Sequence, residues 1–134
     1  MSTSYPLTEL QLAILDVLWR RGEASVLDIH DELREGRRVA QSTISTLLAR
    51  LGERGYVAYR EEGRKHVYRA TVEPEALRKR MTAGFLEHTR PLFRSDLGLL
   101  VSHLLAEGDV SPEDLDEARS ILARMEEELR EEEP

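Results

Sequence analysis

Between positions 41 and 46 the chain reads Gln-Ser-Thr-Ile-Ser-Thr, setting a carboxamide and four hydroxyls around one isoleucine. Side chains this short fit inside a DNA groove. A glutamine can bond adenine through two hydrogen bonds, while serine and threonine donate, accept or touch a thymine methyl. Gln41, Ser42, Thr43, Ser45 and Thr46 are therefore candidate base readers. Arg50 and Arg54 lie further along, where a guanidinium suits phosphate better than a base edge. A second basic group, Arg60, Arg64, Lys65 and His66, with Arg69 alongside, fits contact with the DNA backbone. The plain alternative is a solvated helix face. Against it, serine and threonine are poor fillers of an exposed helix interior, where Glu, Lys and Ala serve better.

Other chemistries find little footing. His30, His66, His88 and His103 are scattered without metal-ligand spacing. Asp28 and His30 stand two apart, on different faces of any helix. There is no glycine-rich phosphate loop and no nucleophile elbow. With no cysteine, disulfides, iron–sulfur clusters and thiolate zinc sites are excluded. The expectation is a protein without catalytic residues, metal or cofactor.

The elements that must carry these residues follow from local signals. Thr8-Glu9-Leu10-Gln11 forms a capping box, and Leu10, Ala13, Ile14, Val17 and Leu18 make one apolar stripe up to Gly22. Ser25, with Asp28 three residues on, opens a shorter helix through Ile29 and Leu33 to about Arg34. A polar turn leads to a third helix over about 40–54, with Ile44, Leu47, Leu48 and Leu51 inward and Gly55 as its stop. The period then changes: 56–60 and 65–70 read as two strands joined by a turn at 61–64. Trp19 and Tyr56 read as core residues. Three helices followed by a basic hairpin is the order of a winged helix-turn-helix, whose last helix enters the major groove.

A second half begins at Glu73-Pro74. Leu77, Met81 and Phe85 form one stripe, which Pro91 is expected to break; Leu97, Leu100, Val101, Leu104 and Leu105 form another. Ser111-Pro112-Glu113-Asp114 opens a last helix carrying Leu115, Ile121, Leu122, Met125 and Leu129. Single-stripe helices need a partner, and a second copy of the same segment is the economical one. These apolar residues from Leu77 to Met125 are the expected dimer interface. The expected architecture is mainly α with a small β hairpin: a winged helix over 1–72 and a helical dimerisation region of three helices over 73–134.

Charge divides along the same line. The whole chain carries −7, yet nine bases against four acids between Arg34 and Arg69 leave +5, and eight bases against sixteen acids from Glu73 onward leave −8. Phosphates meet the local field, so the acidic total describes the second half. No apolar run approaches the ~20 residues of a membrane span, and the opening lacks a signal-peptide pattern. A cytoplasmic location without membrane insertion is expected.

Gln-Ser-Thr-Ile-Ser-Thr-Leu-Leu-Ala-Arg-Leu from position 41, followed by Gly55-Tyr-Val, resembles the BlaI/MecI (penicillinase repressor) family of transcriptional repressors. The opening Leu7-Thr-Glu-Leu-Gln, the Val17-Leu-Trp, and the Leu-Ala-Glu-Gly-Asp-Val-Ser-Pro-Glu-Asp-Leu ending at position 115 are similar as well. The resemblance implies a homodimer binding a palindromic double-stranded DNA operator, with Thr43 and Thr46, beside Ser42 and Ser45, reading the groove. Relatives often carry Lys or Arg at one of those two serines, which points to a divergent operator here. They also tend to begin this helix with Ser-Pro, where this chain has Ala40-Gln41 and so lacks a cap. Resistance-controlling relatives are inactivated through a membrane sensor-protease by cleavage at an Asn-Phe bond. The aligned pair here is His103-Leu104. The copper-responsive branch uses a C-terminal cysteine cluster, absent from this chain. The rival reading is a winged helix used for protein contact within a larger assembly.

Overall fold

The computed structural model describes residues 7–132. They divide between Thr89 and Arg90 into two compact units.

The first unit begins with α1 (Glu9–Arg21). The Thr8 hydroxyl accepts the Gln11 N–H at 3.2 Å, and the Gln11 carboxamide oxygen accepts the Thr8 N–H at 2.9 Å. Two N–H groups that the helix cannot satisfy internally are thus bonded reciprocally. Gly22, at φ 87°, ends α1 in backbone territory that costs glycine little. Ser25 and Asp28 repeat the reciprocal cap at 3.2 and 3.0 Å to open α2 (Val26–Leu33). Helix α3 (Gln41–Glu53) follows a polar loop. Strands β2 (Val57–Glu62) and β3 (Lys65–Ala70) pair antiparallel around a turn at Gly63, φ 63°.

A third strand, β1 (Ala24–Ser25), pairs with β3 through Ala24↔Tyr68 and Ser25↔Val67, giving the order β1-β3-β2. It was not among the sequence expectations, since two residues carry no alternation to read. The turn is also shorter than expected, because β2 runs on through Glu62. Ile14, Leu15, Ile29, Ile44, Leu48 and Leu51 have no exposed surface. Fully burying each such side chain contributes about 1.5–3 kcal/mol. This core fixes α3 against α1 and α2 and leaves its opposite face outward. Three helices with a small antiparallel sheet make a winged helix, mainly α with a β hairpin.

Helix α4 (Pro74–Phe93) corrects two expectations. Leu77, read as a dimer contact, is buried at 2% exposure in the core of the first unit, and half-buried Met81 packs against that core. Both are therefore largely used within one chain. The indole N–H of Trp19 donates to the Val72 carbonyl at 2.9 Å, tying α1 to the segment that leads into α4. The compact unit so extends beyond 72 to Thr89. Pro91 lies inside α4, which runs two residues past it. The Glu87 carbonyl that Pro91 leaves without its helical N–H belongs to an exposed residue, so water can serve it. The helix instead stops at Arg94 and Ser95, with φ of 51° and 64°, left-handed conformations that non-glycine residues adopt at a cost.

In the second unit, α5 (Leu97–Glu107) is capped by Asp96, whose carboxylate accepts the Leu99 N–H at 2.9 Å. Helix α6 (Pro112–Glu132) opens with a third reciprocal cap, Ser111 with Asp114. Leu100 is buried, whereas α6 has no buried residue. Leu97, Leu104, Leu122 and Leu129 are 55–69% exposed. The Phe93 and His103 rings meet edge to face at 5.9 Å.

Candidate nucleic-acid interface

Helix α3 presents two unlike faces. Ile44, Leu48 and Leu51 are buried in the core, and Leu47 is half-buried. Gln41, Ser42, Thr43, Ser45, Thr46, Ala49 and Arg50 are exposed. All five expected base readers therefore share the outward side of one helix, with Arg50 beyond them. Ala40 occupies the N-cap without any side-chain hydrogen bond, as the missing Ser-Pro suggested. The Thr46 hydroxyl donates to the Ser42 carbonyl at 3.0 Å. Its single hydrogen is thereby engaged, so the oxygen of this exposed residue is left only as an acceptor, beside its methyl group.

The basic residues expected at the DNA backbone separate into distinct environments. Arg50, Arg64 and Lys65 are exposed and form no ion pair among the described residues. Arg54 sits over the Tyr56 ring, 5.2 Å from its centre. Arg80 approaches the same ring at 5.6 Å and donates to the Tyr56 hydroxyl at 2.6 Å. Tyr56 itself is buried. Arg60 differs from expectation. Its guanidinium takes both Glu23 carboxylate oxygens at 3.0 Å and Glu62 at 3.1 Å. The hydrogen bond from Arg60 holds the Glu23 carboxyl below its usual range, and Glu23 in turn raises Arg60. Glu23 lies 37 positions away, and no local pattern announces that pairing. His66 is likewise engaged, stacked on Tyr59 at 4.0 Å and 13°, with Glu61 at 3.9 Å.

Arg38 was not among the expected contacts. It is exposed in the loop before α3 and forms no ion pair among the described residues. Its place in an Arg-Arg pair just ahead of the helix was the available signal. Among the described residues no cluster of three His, Asp or Glu could hold a metal, and no helix is long and apolar enough to cross a membrane.

The penicillinase repressor family model matches residues 7–124. The chain belongs to the penicillinase repressor family. The methicillin resistance regulatory protein MecI of Mammaliicoccus sciuri is 22% identical over 119 residues, covering 89% of this chain and 94% of MecI. The penicillinase repressor of Bacillus licheniformis is 23% identical over 116 residues, 87% of this chain and 88% of that one. The solution structure of the DNA-binding domain of the repressor BlaI aligns with 55% of the chain and 90% of that domain, with TM-score 0.48 and 24% identity. The family is one of DNA-binding transcriptional repressors rather than enzymes, and its match spans both units of this member.

Proposed function

We propose that this penicillinase repressor family member acts as a cytoplasmic homodimer whose two α3 helices enter successive major grooves of a palindromic operator. The observation that carries the reading is the two-sided α3: a buried leucine–isoleucine face holds the helix while a hydroxyl-rich face stands outside. Gln41, Ser42, Thr43, Ser45 and Thr46 read bases; Arg50, Arg64, Lys65 and Arg38 meet phosphates, with Arg54 and His66 beside them. Arg60 acts as a strut for the wing. Dimerisation uses the apolar side chains of the second unit: Leu97, Val101, Leu104 and Leu105 of α5, with Leu115, Ile121, Leu122 and Met125 of α6. Each keeps at least a third of its surface exposed in the single chain, and a symmetric copy would cover them.

An electrophoretic shift with the chain's own promoter at two salt concentrations tests the reading. Tight binding that falls steeply with salt is expected, since each neutralised phosphate releases counterions. Failure to bind at low salt would remove it in favour of a protein-contact module. Residue roles separate further. Arg50→Ala should weaken binding on every sequence, while Thr46→Ala should cost on the order of 1–3 kcal/mol of discrimination at one base pair. Equal behaviour of the two variants would refute that division.

Derepression by a membrane sensor-protease at His103-Leu104 extends the proposal. Both residues are exposed, but they lie inside α5, so a protease would need local unwinding. Exposing the host to a β-lactam and blotting for a shortened chain tests it; an intact band would rule it out.

A further inference from the structure

Between the last turns of α3 and the wing lies a cleft of about 710 Å³, inside the size range of small-molecule sites. Leu48 and Val57 form its apolar floor. Tyr59, His66 and Tyr68 line one wall. Tyr59 stacks on His66 at 4.0 Å, and Tyr68 meets Tyr59 at 5.5 Å and 49°. Glu53 stands on the α3 side. Strand register decides the charge of this face. The pairs Tyr59↔Tyr68 and Glu61↔His66 share it, whereas Arg60↔Val67, Ala58↔Arg69 and Glu62↔Lys65 alternate to the other side. The cleft thus sees aromatic rings and the carboxylate of Glu53, while Arg60, Lys65 and Arg69 turn away.

Two residues are poor choices if the wing only had to fold. Tyr59 leaves 54% of its surface exposed. Glu53 is the last residue of α3, where the helix dipole disfavours an anion, and it forms no ion pair among the described residues. Residues that break local rules together in one cleft mark a site. Ring faces attract weakly hydrated cations, and an unpaired carboxylate adds to that preference.

We propose that this cleft binds a small organic cation with an apolar body and a quaternary or delocalised charge, held by the Tyr59–His66 stack, Tyr68 and Glu53. A ligand there would bridge the DNA-reading helix and the wing. The binding itself requires no operator, so it stands apart from the repressor reading.

The full chain, without DNA, is titrated with tetraphenylphosphonium and with the equally shaped anion tetraphenylborate, following calorimetry and the ring resonances of Tyr59 and His66. Saturable binding of the cation is expected, with ring shifts, and little binding of the anion. Glu53→Gln and Tyr59→Leu should each weaken the cation by roughly fivefold, the scale of one cation–π or ion contact. Both positions are exposed, and thermal melts confirm that the variants fold. Equal affinity for the two ions, no saturable binding at about 1 mM, or unchanged affinity in both variants would overturn the proposal.

Discussion

In the first unit Ile14, Leu15, Ile44, Leu48 and Leu51 lose all contact with water, while in the second Leu97, Leu104, Leu122 and Leu129 keep more than half of theirs. The residue types are alike, and so is the helical spacing. What differs is the opposing surface. Helices α1, α2 and α3 and the sheet bury one another within the chain, but no residue of α6 is buried. A stripe therefore states that a face must be covered, and the tertiary structure states whether the same molecule covers it. Leu77 illustrates this, since its stripe was visible in sequence but its partner was the winged-helix core.

The contrast breaks most sharply at the core. Leu48→Ala should cost about 2–5 kcal/mol in urea unfolding of the first unit. A loss below 1 kcal/mol would mean that this core is looser than its burial implies. The complementary substitution, Leu122→Glu, should leave that unfolding transition unchanged while raising the dimer dissociation constant at least about tenfold in sedimentation. Unchanged association would move the interface away from α6.

The caps are a smaller device of the same unit. Ser25→Ala should destabilise by about 1 kcal/mol at neutral pH. The backbone N–H of Ser25, chiefly, holds the Asp28 carboxyl below its ordinary 3.8. Its contribution is thus present above that value and disappears as acid takes the pH through the lower folded value. Stability of Asp28→Asn should accordingly vary less with pH below about 4 than that of the parent, followed by thermal melts; parallel curves would refute the link. Smallest of all, Glu23→Gln should free much of the Arg60 charge and steepen the salt dependence of operator binding by about one unit of slope. An unchanged slope would show that Arg60 is turned from DNA regardless of its partner.

Features set by neighbouring residues were readable from sequence. The caps at Thr8, Ser25 and Ser111, the glycine stop of α1 and the hairpin depend on contacts a few positions long. The outward side of α3 was readable too, because its buried leucines fix the opposite face. The strand β1 escaped because only β3, more than forty residues away, defines it. Arg60 escaped for the same reason, as its partner lies across the fold. Pro91 misled because a missing N–H near an exposed helix end costs less than one inside a packed helix.

The Thr46 hydroxyl has a consequence for the operator. With its hydrogen engaged by the Ser42 carbonyl, it has none to offer the acceptor-only edge of guanine, at N7 and O6. It can still receive the amino hydrogens of adenine or cytosine, or set its methyl against that of thymine. If Thr46 reads a base as proposed, that position should be recorded in aligned operators as a depletion of guanine, a signature set by a bond inside the protein.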